Sequence, residues 1–553
     1  MDRTEILSSI QKKPQVEVLI IGGGINGIGT FRDLALNGVD VLLVERGDFC
    51  SGASAASSHM AHGGIRYLEN GEFRLVREAV GERNRMIENA PHLVRPLPTT
   101  IPIFKFWSGL LNAPLKFLGW LDKPSERGAF VIKVGLMLYD AYTYGAPRLR
   151  SARGAGGTVP PHRFEGKDAS HKRFPQLHPD VRYTATYYDG SILSPERYAI
   201  ELLLDAEAEG PHARALNYFS FERAEGTNVI LKDELTGETY QTSPTLVINA
   251  AGPWIDRVNT DLGIAERYIG GTKGSHLVLD NPELRAAIGD NEFFFENKDG
   301  RIVLIFPLLD KVIIGTSDIP IENPNEARCT EEEIDYFFGM IGRVFPDIKL
   351  ERDQIVFQFS GVRPLEYSHA KTAGQITRDH SIKEDMLGDI PVYSLVGGKW
   401  TSYRAFAEQT TDKALAFLGK TRVADTKQLP IGGGCAYAAT KASQDCDLQL
   451  FARYGSRCRE ISAYQFEEDV PLEHDPETTR REVAFLAEKE KVVHLDDLIL
   501  RRSLMAYLGY LNRPLIDELA DILAELLGWS NTQKTAEIKR TLDVLNDKHG
   551  VIL

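Results

Sequence analysis

The chain has 553 residues, of which 43% are hydrophobic and 26% charged, and its formal net charge is −14. This composition is typical of a folded globular protein with several domains. The acidic excess argues against a nucleic-acid partner, because a phosphate backbone needs a basic surface. Any anionic substrate must therefore be held by a local cluster of cations.

The cysteines and the N-terminal segment predict a cytoplasmic protein. The five cysteines are an odd number and contain no CxxC pair, so neither a disulfide framework nor a metal site is predicted. The N-terminal residues 1–14 lack the apolar core of a secretory signal. No uncharged apolar run reaches the ~18 residues of a membrane span. We therefore expect a cytoplasmic protein and leave peripheral membrane association open.

The first fifty residues have the pattern of a strand, a glycine turn, a helix and a second strand. Gly22, Gly24 and Gly27 permit a tight turn, close approach of a pyrophosphate to the helix N-terminus, and packing of helix on strand. Glu45 ends the second apolar run and is placed to accept hydrogen bonds from an adenosine ribose. The pattern predicts a dinucleotide site, with NAD and FAD both open.

Three further features favour FAD. Only one complete fingerprint occurs, and it lies at the N-terminus, so one cofactor is expected to carry the redox chemistry. The small residues of segment 51–58 can lie close against a flat ligand. Residues 247–254 predict a buried strand that ends in a small-residue turn around Ala250 and Gly252, which can approach the same cofactor.

Helical patterns cover residues 73–90, 130–144 and 198–209, and the middle third alternates as a mixed or antiparallel sheet. After about residue 425 the chain becomes charged and helical, with helices predicted over 480–490, 503–511, 514–527 and 532–547. Segment 104–121 combines aromatic and basic residues. It fits either a hydrophobic lid or a segment at a membrane surface.

A histidine and an arginine follow the small-residue segment. Gly63 and Gly64 permit close approach of the backbone to a planar ring, and they are flanked by His62, a candidate base, and Arg66, a permanent cation. In isolation, such a pair is more often found on a surface than in a site. Its position directly after the small-residue segment favours a site.

The ordered motifs IGGGINGIG, ASSHMAHGGIRYLENGEFRLVREAVGER, VINAAGPW, TKGSH, FSGVRPL, ITRDH and VGGKWTSYR resemble the FAD-dependent glycerol-3-phosphate dehydrogenases from about residue 16 to 408. The resemblance implies an α/β FAD-binding Rossmann-like domain, a mixed or antiparallel β-sheet substrate (cap) domain as in D-amino-acid oxidase, and an α-helical C-terminal domain. It also implies oxidation of sn-glycerol 3-phosphate to dihydroxyacetone phosphate, with hydride transfer from C2 to FAD N5 and electrons passed to a membrane quinone. A homodimer stays open.

On this basis the domains are assigned to seven ranges. They are the first part of the FAD domain (16–95), a cap or lid with a membrane-facing segment (96–150), mixed FAD and cap segments (151–245), an FAD-binding turn (246–258), the substrate sheet (259–360), the last part of the FAD domain (361–420) and the C-terminal helical domain (425–553).

The resemblance also assigns the site residues. The residues implied around the substrate are His62, Arg66, Arg363, Arg378 and Lys399. Those implied around FAD are Gly22, Gly24, Gly27, Glu45, Ser57, Ser58, Gly63, Gly64, Ala250, Gly252, Gly398 and Thr401.

The roles of the substrate residues follow from their chemistry. Arg363 and Arg378 suit the phosphate because a guanidinium donates two parallel hydrogen bonds, with Lys399 or Arg66 assisting. His62 is the best base on pKa grounds, while Lys399 could polarise the alcohol or stabilise the reduced flavin. In TKGSH, Lys273 and His276 are either structural or part of the site.

Three alternatives to this function stay open. One is an oxidase that passes electrons to dioxygen, but relatives of that type carry an insertion where this chain has only about 45 residues, from residues 316–318 to Arg363. The others are an amine-oxidising flavoenzyme of the same fold and a flavin sensor without turnover.

Overall fold

The computed structural model describes residues 1–65, 72–106, 128–144, 159–297, 301–367, 379–443, 446–465 and 469–553. Its strands are β1 (Gln15–Ile21), β2 (Val41–Val44), β3 (Met60–Ala61), β4 (Val94–Ile103), β5 (Arg163–Gly166), β6 (Tyr183–Ile192), β7 (Ala213–Leu216), β8 (Phe219–Glu225), β9 (Asn228–Asp233), β10 (Thr239–Asn249), β11 (Thr272–Leu279), β12 (Glu292–Glu296), β13 (Ile302–Leu308), β14 (Lys311–Gly315), β15 (Ile319–Pro320), β16 (Ile355–Arg363), β17 (Ser381–Leu387) and β18 (Ile390–Val396).

The helices lie between and after these strands. They are α1 (Arg3–Lys12), α2 (Ile25–Leu36), α3 (Phe73–Asn89), α4 (Ala129–Tyr144), α5 (Lys167–Arg173), α6 (Pro195–Glu207), α7 (Ile255–Asp261), α8 (Pro282–Ile288), α9 (Glu331–Gly342), α10 (Tyr403–Phe417), α11 (Tyr437–Ser443), α12 (Leu448–Tyr454), α13 (Cys458–Ala463), α14 (Arg480–Lys489), α15 (Leu495–Asp497), α16 (Arg513–Leu527) and α17 (Asn531–His549).

The first sheet is the predicted dinucleotide sheet. Its strands follow the order β17-β18-β10-β1-β2-β7, with parallel pairing from β18 to β7. In β1, Val18 and Ile20 pack in the same core as α2, whereas Leu19 and Ile21 pack in a second core with α1. A parallel strand covered on both faces needs apolar side chains at every position. This explains the uninterrupted apolar run before the glycine turn.

The second sheet is mixed, as expected for the cap. Its strands follow the order β15-β11-β14-β13-β12-β4-β6-β3. Strands β12 and β4 pair in parallel, and the other described neighbours in this order are antiparallel. In β13, Val303 and Ile305 face a core with α8 and α9. Leu304 and Phe306 point to the opposite face, where they share a core with the C-terminal helices.

The C-terminal helices have clear end signals. Helix α16 ends at Gly528, which adopts the left-handed conformation, with φ +70°, that glycine tolerates best. Ser530 then starts α17 by accepting a hydrogen bond from the backbone N–H of Gln533. The sequence prediction that residues 528–531 end one helix and begin the next is confirmed.

The helix predicted over 503–511 is wrong. The structure has a π-helical turn over Leu498–Arg502, followed by turns. Gly509 lies in the left-handed region at φ +67°, and a Cβ there would be 2.6 Å from the Val356 side chain. Leu504, Leu508 and Leu511 have helical spacing, but close packing on β16 takes precedence over it.

The prediction of no disulfide is also wrong. Cys446 and Cys458 are bonded, with their Cα atoms 6.0 Å apart, and Cys50, Cys329 and Cys435 are free thiols. An odd cysteine count does not exclude one local pair between a loop and the start of α13. Among the described helices, none is both long and apolar enough to cross a bilayer.

Candidate active site

A cavity of about 2100 Å³ lies between the two sheets and the C-terminal helices. It opens at the carboxyl ends of β1 and β10, which is where open α/β sheets bind their ligands. The volume is larger than the roughly 300–1,000 Å³ of a typical small-molecule site. The cavity is therefore large enough for an extended cofactor together with a small substrate.

The glycine turn forms one wall of the cavity. Gly22 has φ +113°, and a Cβ there would lie 2.6 Å from the Ala250 carbonyl oxygen. A Cβ on Gly27 would lie 2.0 Å from the Gly22 carbonyl oxygen, so the first turn of α2 packs directly on the loop. Gly24 is the N-cap of α2. The positive end of this helix dipole therefore faces the cavity, as a pyrophosphate requires.

Glu45 holds the glycine turn as well as lining the cavity. Its carboxylate accepts hydrogen bonds from the backbone N–H of Gly23 at 2.7 Å and of Gly47 at 2.9 Å. Burial raises the pKa of this carboxyl, and the two hydrogen bonds oppose that rise. A carboxylate has about four acceptor positions, so capacity for a ribose hydroxyl remains.

The predicted small-residue segment forms a second wall. The Ser54 hydroxyl accepts the Ile25 N–H at 3.0 Å, at the start of α2, and the Ser57 hydroxyl accepts the His59 N–H at 3.3 Å. The Ser58 hydroxyl lies 3.0 Å from Nε2 of His276. The serines therefore fix the segment, which brings the backbone of residues 51–58 to the cavity.

Two buried oxygens in the wall have no hydrogen-bond partner among the described residues. They are Oδ1 of Asn26, beside the glycine turn, and Oγ1 of Thr401. Gly398 has φ +94°, and a Cβ there would lie 2.7 Å from Nδ2 of Asn26, so the backbone passes directly over this side chain. Buried polar atoms are nearly always paired in native proteins. A polar cofactor in this cradle would supply the missing partners.

Arg363 lies at the end of β16 with a fixed orientation. A Cβ on Gly274, in the neighbouring strand β11, would be 2.3 Å from its guanidinium, so only glycine leaves room for it. The guanidinium donates to the Thr316 hydroxyl at 2.9 Å and to the Ser317 carbonyl at 3.1 Å, and it lies 3.3 Å from Asp318. The side chain is about one quarter exposed, toward the cavity.

His62 and Lys399 also line the cavity. The loop that carries His62 is held from behind, because the Gly63 N–H donates to Asp189 at 2.8 Å. Tyr139 donates to the same carboxylate and in turn accepts a hydrogen bond from Arg83, each at 2.8 Å. All three supporting side chains are buried.

This supporting cluster was not predicted from the sequence. Arg83 lies on the buried face of α3. A charged residue at a core position of an amphipathic helix is unusual, and this position was the one feature of the sequence that could have indicated the cluster.

The side chains of the TKGSH motif alternate between the two faces of β11. Gly274 and His276 face the cavity, whereas Lys273 points away and pairs with Glu333 at 2.8 Å. The His276 ring stacks on Phe359 with its centroid at 4.8 Å. Burial, assisted by the nearby Arg363, lowers the pKa of His276 to about 3, so the ring is neutral.

Most of the predicted site residues meet at this cavity. Those that line it are Gly22, Gly24, Glu45, Ser57, Ser58, His62, Gly64, Ala250, Gly252, Arg363, Gly398, Lys399 and Thr401. Gly27 lies beneath the glycine turn and Gly63 behind the wall. Arg66 and Arg378 lie outside the described residues.

The C-terminal helical domain provides a third wall that no motif indicated. The side chains that it contributes include His494, Arg501, Tyr507, Lys548 and His549. No group of three metal-binding side chains lies together within the described ranges.

Comparison with known proteins identifies the cofactor class. Residues 17–385 match the family model described as FAD dependent oxidoreductase, and residues 394–534 match the C-terminal domain of alpha-glycerophosphate oxidase. The glycerol-3-phosphate dehydrogenase of Synechocystis sp. is 34% identical over an alignment of 571 positions, gaps included, that covers 95% of each chain. The D-erythritol 1-phosphate dehydrogenase of Brucella abortus is 29% identical and covers 88% of this chain and 94% of its own.

A solved structure supports the same fold. The glycerol-3-phosphate dehydrogenase from Bacillus halodurans, determined in complex with FAD, superimposes with a TM-score of 0.72 at 22% identity. The alignment covers 99% of this chain and 97% of that one. The likeness therefore includes the cap sheet and the C-terminal helices as well as the dinucleotide sheet.

Proposed function

The chain belongs to the family of FAD-dependent glycerol-3-phosphate dehydrogenases, and we propose that it oxidises the C2 hydroxyl of sn-glycerol 3-phosphate to give dihydroxyacetone phosphate. One observation carries the proposal. Arg363 and Lys399 meet the glycine turn in one cavity, although the chain as a whole is strongly acidic. Cations gathered at a flavin cradle suit a substrate that carries a phosphate.

The residues of the cradle have distinct proposed roles. The N-terminus of α2, with Gly22 and Gly24, would hold the pyrophosphate of FAD, and Glu45 would hold the ribose. Asn26 would accept a hydrogen bond from the cofactor through Oδ1, and Thr401 would donate or accept one through Oγ1, since neither atom has another partner in the described part of the chain. When bound, FAD supplies the acceptor for a hydride from C2.

The chain itself binds the substrate and takes up a proton. Arg363 binds the phosphate through its guanidinium, whose orientation is set by Thr316 and Ser317. His62 is the proposed base for the hydroxyl proton, because its imidazole lines the cavity and a positioned base is worth roughly 10²–10⁴-fold in rate. Lys399 is the alternative candidate for this base. His276 is a poor base because its pKa is about 3, and it serves as a neutral hydrogen-bonding group.

Flavin bleaching tests the function directly. Under anaerobic conditions, sn-glycerol 3-phosphate is expected to bleach the yellow absorbance of the oxidised flavin. Glycerol, which lacks the phosphate, should need a concentration at least roughly 100-fold higher, because a charge-assisted phosphate contact is worth about 3 kcal/mol. Faster bleaching by D-erythritol 1-phosphate would change the proposed substrate. Persistence of the oxidised spectrum with all three would favour a sensor.

The proposed electron acceptor is a quinone in the membrane. Helix α4 supports this, because Phe130, Val134, Met137 and Leu138 lie on one face at helical spacing and are 42–57% exposed. Its opposite face is buried through Leu136 and Tyr139.

A contiguous exposed apolar face on a helix indicates an interaction surface. Of the predicted aromatic and basic segment 104–121, residues 107–121 lie outside the described residues. Helix α4 therefore carries the proposal of membrane docking, and the segment itself stays a prediction.

Changing Met137 and Leu138 together to Asp is expected to reduce binding to phospholipid vesicles by roughly tenfold or more, because two apolar side chains leave the lipid and two charges enter it. Activity with a soluble dye should stay at the wild-type level. Val423→Asp is the matched control, since Val423 is 76% exposed elsewhere on the surface. Equal vesicle binding by both variants and the wild type would contradict the docking surface.

Dioxygen is the alternative acceptor. With dioxygen as the only acceptor, a dehydrogenase should release peroxide far more slowly than it oxidises substrate with a quinone analogue. Peroxide release at the full rate of substrate oxidation would identify an oxidase.

A further inference from the structure

The small-residue segment 51–58 is held by several distant parts of the chain. Trp400 donates its indole N–H to the Ser54 carbonyl at 3.0 Å. A Cβ on Gly361 would lie 2.4 Å from the Ala56 side chain, so the cap sheet presses directly on the segment. Ala55 lies between these two contacts, and its N–H donates to the Gly52 carbonyl at 3.1 Å within the segment.

Ala55 is held by the C-terminal helical domain. The Tyr507 hydroxyl lies 2.9 Å from the Ala55 carbonyl oxygen and donates to it. The Tyr507 ring is buried and packs against Phe357 at 4.5 Å and against His59 at 5.5 Å between centroids. A ring packed on two sides cannot readily change its rotamer, so the hydroxyl has a fixed position.

The same hydroxyl lies 3.0 Å from Oε1 of Glu196 in the first turn of α6. A phenol has one proton and cannot donate to both oxygens. Burial raises the pKa of Glu196 to about 7, so its carboxyl is mostly protonated at pH 6 and mostly ionised at pH 8. The other ionisable groups that act on it are Arg501 and the thiol of Cys50. When protonated, Glu196 donates to Tyr507, and Tyr507 donates to Ala55.

A second contact holds the chain three residues before the segment, at Asp48. Asp48 is fully buried and accepts from Arg502 at 2.8 and 2.9 Å and from Arg501 at 2.5 Å. Both arginines lie in the π-helical turn of the C-terminal helical domain. They hold the pKa of Asp48 well below its usual range, so this carboxylate stays charged and paired. The C-terminal helical domain therefore forms hydrogen bonds with this part of the chain at Asp48 and at Ala55.

We propose that Tyr507 is a positioning residue for FAD, which fixes the Ala55 backbone at the cofactor through a hydrogen-bond relay from Glu196. The C-terminal helical domain is then a structural part of the flavin site. The inference rests on FAD binding in this cavity and is independent of which substrate is oxidised.

The first test compares two tyrosines. Tyr507→Phe removes only the hydroxyl and is expected to raise the dissociation constant for FAD roughly 5- to 100-fold, because the Ala55 carbonyl and Glu196 lose their partner. Tyr510→Phe is the matched control, since Tyr510 is 42% exposed and its hydroxyl bonds Asp310 at the surface. The visible circular dichroism of the bound flavin should change in the first variant only. Equal dissociation constants and spectra for wild type and Tyr507→Phe would overturn the proposal.

The second test uses pH. As pH rises from 6 to 8, Glu196 loses its proton and competes for the Tyr507 hydroxyl, so FAD should bind the wild type more weakly. Glu196→Gln should bind FAD equally at both pH values, because the amide donates permanently, and Tyr507→Phe should lose this component of the pH dependence. A Glu196→Gln profile identical to the wild type would overturn the relay. FAD binding is measured without substrate, so a failure to oxidise glycerol 3-phosphate does not affect the result.

Discussion

Arg363→Met is expected to lower kcat/KM for sn-glycerol 3-phosphate by roughly 10²–10³-fold, because truncating one partner of a desolvated charge pair costs about 2–5 kcal/mol. The flavin spectrum should be retained, since Arg363 is part of the cap sheet, whereas the glycine turn proposed to hold FAD belongs to the dinucleotide sheet. Anaerobic stopped-flow measurement of flavin reduction over a range of substrate concentrations checks both quantities.

Arg363→Lys separates charge from geometry. A lysine keeps the positive charge but loses the planar fork, so an intermediate loss is expected. If methionine and lysine reduce kcat/KM equally, the fork rather than the charge is essential. If neither changes it, Arg363 does not bind the phosphate and the proposed substrate site is wrong.

Gly27→Ala is expected to yield protein that retains its fold but binds FAD at least roughly 100-fold more weakly. The added methyl would lie 2.0 Å from the Gly22 carbonyl oxygen, so α2 must move away from the turn that receives the pyrophosphate. Forcing an extra methyl into a packed site costs about 1–3 kcal/mol or more. Flavin content after purification and titration with FAD measure the effect.

Gly339→Ala is the control for this change. Gly339 lies within helix α9, and a Cβ there meets no atom within 4 Å. The alanine should raise the free energy of unfolding by up to about 1 kcal/mol through helix propensity, with FAD binding unchanged. Normal flavin content in Gly27→Ala would show that the turn tolerates the movement and would contradict the assigned role.

The cofactor cradle could be predicted because its parts are close in sequence. Gly22, Gly27 and Glu45 lie on one strand-turn-helix-strand unit, so their spacing alone fixes how they meet. Arg363 and Lys399 are different. They come from strand and loop positions hundreds of residues away, and only the resemblance to a family brought them to the site.

The remaining walls depend on contacts that leave no local pattern. Tyr507 lies where the sequence predicted a helix over 503–511, and it reaches the cavity from the turns that replace that helix. Arg83, Tyr139 and Asp189 hold the His62 loop from two helices and a strand. The local sequence around each of these three residues contains no motif that indicates the other two, and the cluster forms only through tertiary packing.

The alternation along β13 has a consequence for how the protein folds. One face of this strand completes a core with α8 and α9, and the other completes a core with the C-terminal helices. A chain truncated before those helices would expose Phe306, Phe357 and their neighbours as an apolar sheet face. The C-terminal helices therefore cover one apolar face of the cap sheet, and we expect their removal to destabilise that sheet.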